Sequence, residues 1–205
     1  MGFNKRLFVG GASGITATDH FNCVAYTGNG STTKEVTVGF NPDFVWVKSS
    51  SASDSHIIVD SQRGNGVFLS PNAQTANDSN AAHLKLITNG FDAMSNPNVG
   101  SRNYISLNWK GGGSSNTWNI DGTGYASAGA ASLTGTTGAS VNTVSGFSII
   151  KYAGSGSANQ VIPHGLTDCQ LVFVKNTGSS TDWQAFGEPI FDRMQLNNDG
   201  ADDAS

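Results

Sequence analysis

From Phe21 to Thr27 the side chains alternate, with Phe21, Cys23 and Ala25 on one side and Val24 and Tyr26 on the other. This predicts a strand covered at least in part on both faces. Asn29-Gly30 comes next, a dipeptide suited to a two-residue hairpin, and Lys34 to Val38 alternates Val36 and Val38 against Glu35 and Thr37. Asn41-Pro42-Asp43 marks a turn into Phe44 to Lys48, which is apolar on both faces: Phe44 and Trp46 one way, Val45 and Val47 the other. A sandwich strand needs only one buried face, so the outer side calls for cover from another segment, the other module or another subunit. Further strands are predicted at 56–60 and 66–69, and a second hairpin at 83–88 and 91–94 around Asn89-Gly90. A closing strand from Tyr104 to Lys110 completes the set. About eight short strands separated by turn signals predict an all-β fold: an antiparallel β-sandwich of the jelly-roll or lectin-like kind, with a small barrel as the alternative.

The pattern then returns. Phe147 to Lys175 repeats Phe21 to Lys48, with Tyr26, Gly28, Gly30 and Gly39 each matched 126 residues later by Tyr152, Gly154, Gly156 and Gly165. After one inserted residue, Val47, Lys48 and Leu69 are matched at 127 by Val174, Lys175 and Leu196. The chain therefore divides into an N-terminal arm (1–20), a first β-sandwich module (21–113), a Gly/Ala/Ser/Thr-rich strap or linker (114–146) and the start of a second repeat module (147–205). Ser205 corresponds to about position 78 of the first copy, so the second module is incomplete as a sandwich and would expose unpaired edges. The expectation is that the polypeptide continues past Ser205, or else that a partner completes the sheet or the tail is disordered.

Composition agrees with the strand reading and removes several function classes. Only two Glu residues (Glu35, Glu188), 26 Gly and a heavy load of Ser, Thr and Asn leave little material for helices. The net charge is -4 and the basic residues are scattered, so the footprint of a nucleic-acid binder is missing. Leu7, Phe8 and Val9 are too short a run for a signal core or for membrane insertion. Cys23 and Cys169 are not equivalent in the two copies, which argues against a disulfide framework and places both at strands or strand edges in a reducing cytoplasm.

Candidate chemistry is sparse. No two of His20, His56, His83 and His164 stand at a metal-ligand spacing. Asp54-Ser55-His56 gathers triad residue types, yet acyl transfer needs a spatial relay and an oxyanion hole. Asn119-Ile-Asp121-Gly122 and the acidic stretch from Asn197 lack EF-hand spacing and serve as Asx-turns. No enzyme, metal or cofactor is expected. Trp118 and Trp183 are the candidates for stacking on glycan rings, whereas Trp46, Phe44 and Phe173 are candidates for an oligomer or module interface. Lys5, Arg6, Leu7 and Phe8 form a candidate docking arm.

The motifs YTGNGS, VTVGFNPDFVWVK and YISLNWKGGG, the strap GYASAGAASLTGTTGASVNT and the restart GFSIIKYAGSGS resemble tandem modules of tailed-phage virion proteins of the tail-fibre kind. The resemblance runs from about Phe21 to Trp183. It implies a virion structural protein, assembled in the host cytoplasm, with lectin-like β modules and no catalytic residues. The implied partners are other tail proteins, with a homotrimer as the expected oligomer. A carbohydrate-binding decoration or adhesion module that recognises a host surface glycan is the alternative.

Overall fold

The computed structural model describes residues 16–79, 83–187 and 191–197. Seven strands build the first repeat: β1 (Phe21–Thr27), β2 (Lys34–Thr37), β3 (Phe44–Ser49), β4 (Ile57–Asp60), β5 (Leu84–Ile87), β6 (Gly90–Ala93) and β7 (Asn103–Trp109). They form two antiparallel sheets, β1-β7-β3-β4 and β2-β6-β5. Alternation decides what lies between them: Val45, Val47, Val59 and Tyr104 of one sheet meet Val36, Leu84, Phe91 and Ala93 of the other in a buried core. Each such side chain removed from water contributes roughly 1.5–3 kcal/mol. The fold is an all-β sandwich.

The two hairpin signals have different outcomes. Around Asn89-Gly90, β5 and β6 pair as a hairpin whose loop residues are Thr88 and Asn89, Asn89 taking φ +65°. The Asn29-Gly30 signal does not make a hairpin, because β1 pairs with β7 while β2 pairs with β6 in the other sheet. The turn is a crossover held from outside. Asn98 accepts the Asn29 amide, and its own amide donates to Asn29 Oδ1 and the Ser31 carbonyl. Gly28 lies so close to the Val99 carbonyl oxygen that a Cβ would stand 2.2 Å from it. The strand expected at 66–69 is reduced to the isolated bridges Ile58↔Leu69 and Phe68↔Asp78.

The strap is a sheet rather than a linker. It contains β8 (Trp118–Ile120), β9 (Thr123–Tyr125) and β10 (Thr136–Asn142), which join β11 (Phe147–Tyr152), the first strand of the second repeat, in the order β11-β10-β8-β9. Its weak hydrophobic periodicity has a physical reason. One face of β10 is polar and fastened by side-chain hydrogen bonds: Ser140 Oγ donates to the Gly113 carbonyl and accepts from Gly112 N, and Asn142 Nδ2 donates to the Lys110 carbonyl. Gly112 fits between the Val141 and Asn119 carbonyl oxygens, where a Cβ would meet them at 2.4 and 2.5 Å. Buried Asp43 accepts from Gly111 N and Gly113 N, which ties the strap to the turn before β3. The opposite face carries Ala139 and Val141 into a small core that also holds Leu133.

The second repeat continues with β12 (Leu171–Val174), β13 (Gln184–Gly187) and β14 (Phe191–Gln195) in one antiparallel sheet. β12 and β13 stand where β3 and β4 stand in the first copy. The matched strand-end lysines do the same work in both: Lys48 Nζ donates to the Ser49 and Ala52 carbonyls, and Lys175 Nζ to those of Asn176 and Ser179.

Candidate functional site

The outer face of β3, apolar by sequence, is covered by the second repeat of the same chain. Trp183 is buried against Ile58 and Leu69, with Phe44, Trp46 and Leu196 packed around it. Its indole Nε1 donates to the Ser70 carbonyl at 3.1 Å. Phe147 stacks on Trp109 with ring centroids 5.7 Å apart and meets Phe44 edge-on at 5.8 Å. Phe44 and Trp46 thus sit at the contact between repeats. The expectation of a surface ring at Trp183 is corrected, since the ring is 6 % exposed. Trp118 is half-buried and its Nε1 donates to Thr136 Oγ1. The proposed docking arm, Lys5, Arg6, Leu7 and Phe8, lies outside the described residues.

The other strand faces of the second repeat are open. Val172 is 38 % exposed where its counterpart Val45 is 0 %, and Phe186 is 38 % exposed where Val59 is 0 %. Phe173, Leu171, Tyr152 and Met194 are exposed as well. Pattern reading singled out Phe173 and missed Val172, Phe186 and Tyr152. Superposing the two copies by the 127-residue shift would have identified Val172 and Phe186 as core positions of the module. Contiguous apolar surface on strands is the usual mark of an interaction site.

Beside this sheet lies a polar cleft of about 490 Å³, bounded by Gln74 of the first repeat and by Asn176, Thr181, Asp182 and Gln184 of the second. The Asp182 carboxylate accepts hydrogen bonds from Asn197 and Gln74, which hold it below the usual carboxylate range, with Lys175 adding a smaller effect. Burial pushes the Lys175 ammonium down, and its Nζ is turned to main-chain carbonyls including that of Gln74. The cleft is thus a hydrogen-bonded seam between repeats.

The other candidate groups disperse. Asp54 pairs with Arg102 at 2.6 Å, Ser55 Oγ faces Asn72, and His56 Nδ1 accepts the Trp46 indole N–H. Asn119 Oδ1 accepts from Ser115 and Asn116, and Asp121 from Thr143, so these oxygens serve turns. Among the described residues no group of three His, Cys, Asp or Glu side chains is arranged to hold a metal ion, and no helix is long and apolar enough to cross a membrane.

An all-β protein with several sheets, two of them packed face to face as a sandwich, is the class this geometry defines. The chain belongs to the family of the domain of unknown function DUF7483, whose family model matches residues 16–205 and so spans both repeats. No curated protein and no solved structure matches the chain.

Proposed function

We propose that this chain is a structural component of a phage virion, the tail-attaching part of a tail fibre or tail appendage, assembled with other tail proteins and with copies of itself as a homotrimer. The observation that carries the reading is the open apolar surface of the second repeat, with Val172 and Phe186 exposed where their first-repeat counterparts are core, and Phe173 exposed on the other face of the same sheet. Such a face persists in a stable protein when an assembly covers it. The likeness of the YTGNGS and GFNPDFVWVK motifs to tailed-phage virion modules supplies the kind of assembly. Mass spectrometry and antibody labelling of purified virions, with analytical ultracentrifugation of the recombinant chain, test it. A trimer in solution and label at the tail are expected. A stable monomer absent from the particle would sink the idea.

The glycan-binding alternative has lost one of its two rings, because Trp183 is inside the repeat contact. It now rests on Trp118. A glycan array comparing the wild type with Trp118→Ala separates the readings, since a scaffold gives no sugar signal that depends on that ring.

A further inference from the structure

In the first repeat a single strand joins the counterparts of β11 and β12. There β7 lies between β1 and β3 and pairs antiparallel with both. In the second repeat, β11 corresponds to β1 and β12 to β3, yet they end two separate sheets, and among the described residues no strand pairs with the edge of either.

Hydrogen-bond parity shows that these are the two edges β7 would use. His20 and Gly28 bond to Lys110 and Arg102, so the even-numbered residues of β1 turn their main-chain groups to β7. In β10 the odd-numbered residues Ala139 and Val141 bond toward β8, so its even-numbered residues face β11, and Ser140↔Ile149 sets the odd positions of β11 against β10. Ser148, Ile150 and Tyr152 therefore present their main-chain groups on the far edge. They are the counterparts of Asn22, Val24 and Tyr26. On the other side, Leu196 N bonds to the Trp183 carbonyl, which leaves Gln184 and Phe186 of β13 facing Val174 and Val172 of β12. Leu171, Phe173 and Lys175 then point their main-chain groups outward, as Phe44, Trp46 and Lys48 do toward β7.

We propose that the edges of β11 and β12 together receive an extended partner segment with the alternation of β7, which adds antiparallel to both and closes the second repeat into one sheet. Main-chain hydrogen bonds supply the affinity and the alternate side chains the specificity, as in other strand additions. The chemistry of the occupant follows from β7. It is uncharged over about seven residues, the length of a typical strand. One face carries a tyrosine and small polar residues: in the first repeat Tyr104 stacks on Tyr26 at 5.1 Å, Ser106 Oγ donates to the Val24 carbonyl and Asn108 Nδ2 to the Asn22 carbonyl. Tyr152, 39 % exposed, stands ready for the same stacking. The other face carries Ile, Leu and Trp, as Trp109 meets Phe21 at 4.8 Å, and Phe147 is the counterpart of Phe21.

This rests on reading the chain as an assembly component, and the test separates the two. The probe is a synthetic peptide of the β7 sequence, Asn103 to Lys110, added to the 205-residue chain, with amide hydrogen exchange and calorimetry as readouts. Binding with slowed exchange at Ser148, Ile150, Tyr152, Leu171, Phe173 and Lys175 is expected. The same peptide N-methylated at the positions of Ile105 and Leu107, which face β12, should bind at least about tenfold more weakly, the loss of one or two edge hydrogen bonds. Phe173→Pro should abolish binding while β12 and β13 stay paired, because the N–H it removes points away from β13. No binding at millimolar peptide, protection confined to the outer edges of β4 or β14, or equal protection by a scrambled peptide would overturn the proposal. A chain present in purified virions that ignores the peptide sinks the strand addition and leaves the structural role standing. Peptide binding by a chain absent from virions does the reverse.

Discussion

Trp183 Nε1 donates to the Ser70 carbonyl across the two repeats, 113 positions apart in the chain, and the indole body fills the space over Ile58 and Leu69. One side chain thus supplies both an apolar plug and a directional bond. This contact, with Phe147 against Phe44 and Trp109, makes the repeats one body.

Trimming Trp183 should separate these two contributions. Trp183→Phe keeps most of the packing and leaves the Ser70 carbonyl without that donor, for an expected loss of about 1 kcal/mol. Trp183→Ala opens a cavity over Ile58 and should cost about 3–5 kcal/mol. Urea unfolding checks both, and amide exchange in β4 should quicken in the alanine variant.

The paired positions Val45 and Val172 give a built-in control. Val45→Ala removes buried methyl groups from the first core and should lower stability by about 2 kcal/mol, whereas Val172→Ala should change it by less than about 0.5 kcal/mol in the isolated chain. Thermal unfolding of the two variants decides, and equal losses would mean that Val172 is covered in solution.

Acid should weaken the fold through half-buried His56 and buried His83. His56 is held below its ordinary value first by burial and then by Lys48, and His83 by burial, with Asp78 acting the other way. An unfolded histidine titrates near about pH 6.5, so below that pH the unfolded chain binds more protons than the folded one. The contribution is fully present above that pH and is lost as pH falls through the lower folded values. The Trp46 indole N–H requires an unprotonated His56 Nδ1, which gives the same sign. The urea midpoint should hold steady between pH 7 and 8 and drop by pH 5. His56→Asn, which keeps an acceptor without a titrating ring, should flatten that slope.

The strap depends on close main-chain approach at its root. Gly112→Ala would force a Cβ against two carbonyl oxygens at under 3 Å and should cost roughly 3 kcal/mol or more. Circular dichroism and exchange in β8 and β10 would register the loss, with β5 and β6 unaffected.

How much of this was legible beforehand follows from what each signal measures. Alternation in Phe44–Lys48 correctly required cover on the outer face of β3, whereas the same reading of Phe21–Thr27 is corrected: Phe21, Cys23 and Ala25 are exposed and only the Val24/Tyr26 face packs inward. Asn29-Gly30 reports only that the chain turns. Whether the next strand lies alongside or in the facing sheet is decided by Asn98, about 70 residues away, which no local pattern can register. The strap hid its strands because Ser140, Asn142 and Gly112 hold them by polar bonds and close backbone contact instead of an apolar stripe.

By itself the sequence determined an all-β fold, a repeated pattern and the positions of β3 and β12, because period-two burial and turn chemistry are written locally. Tertiary structure alone decided that Trp183 lies inside, that the second repeat covers the outer face of the first, and that β11 and β12 end in edges matched to a strand like β7. Those are relations between residues distant in the chain, fixed by which surfaces remain to be buried once every local preference has been met.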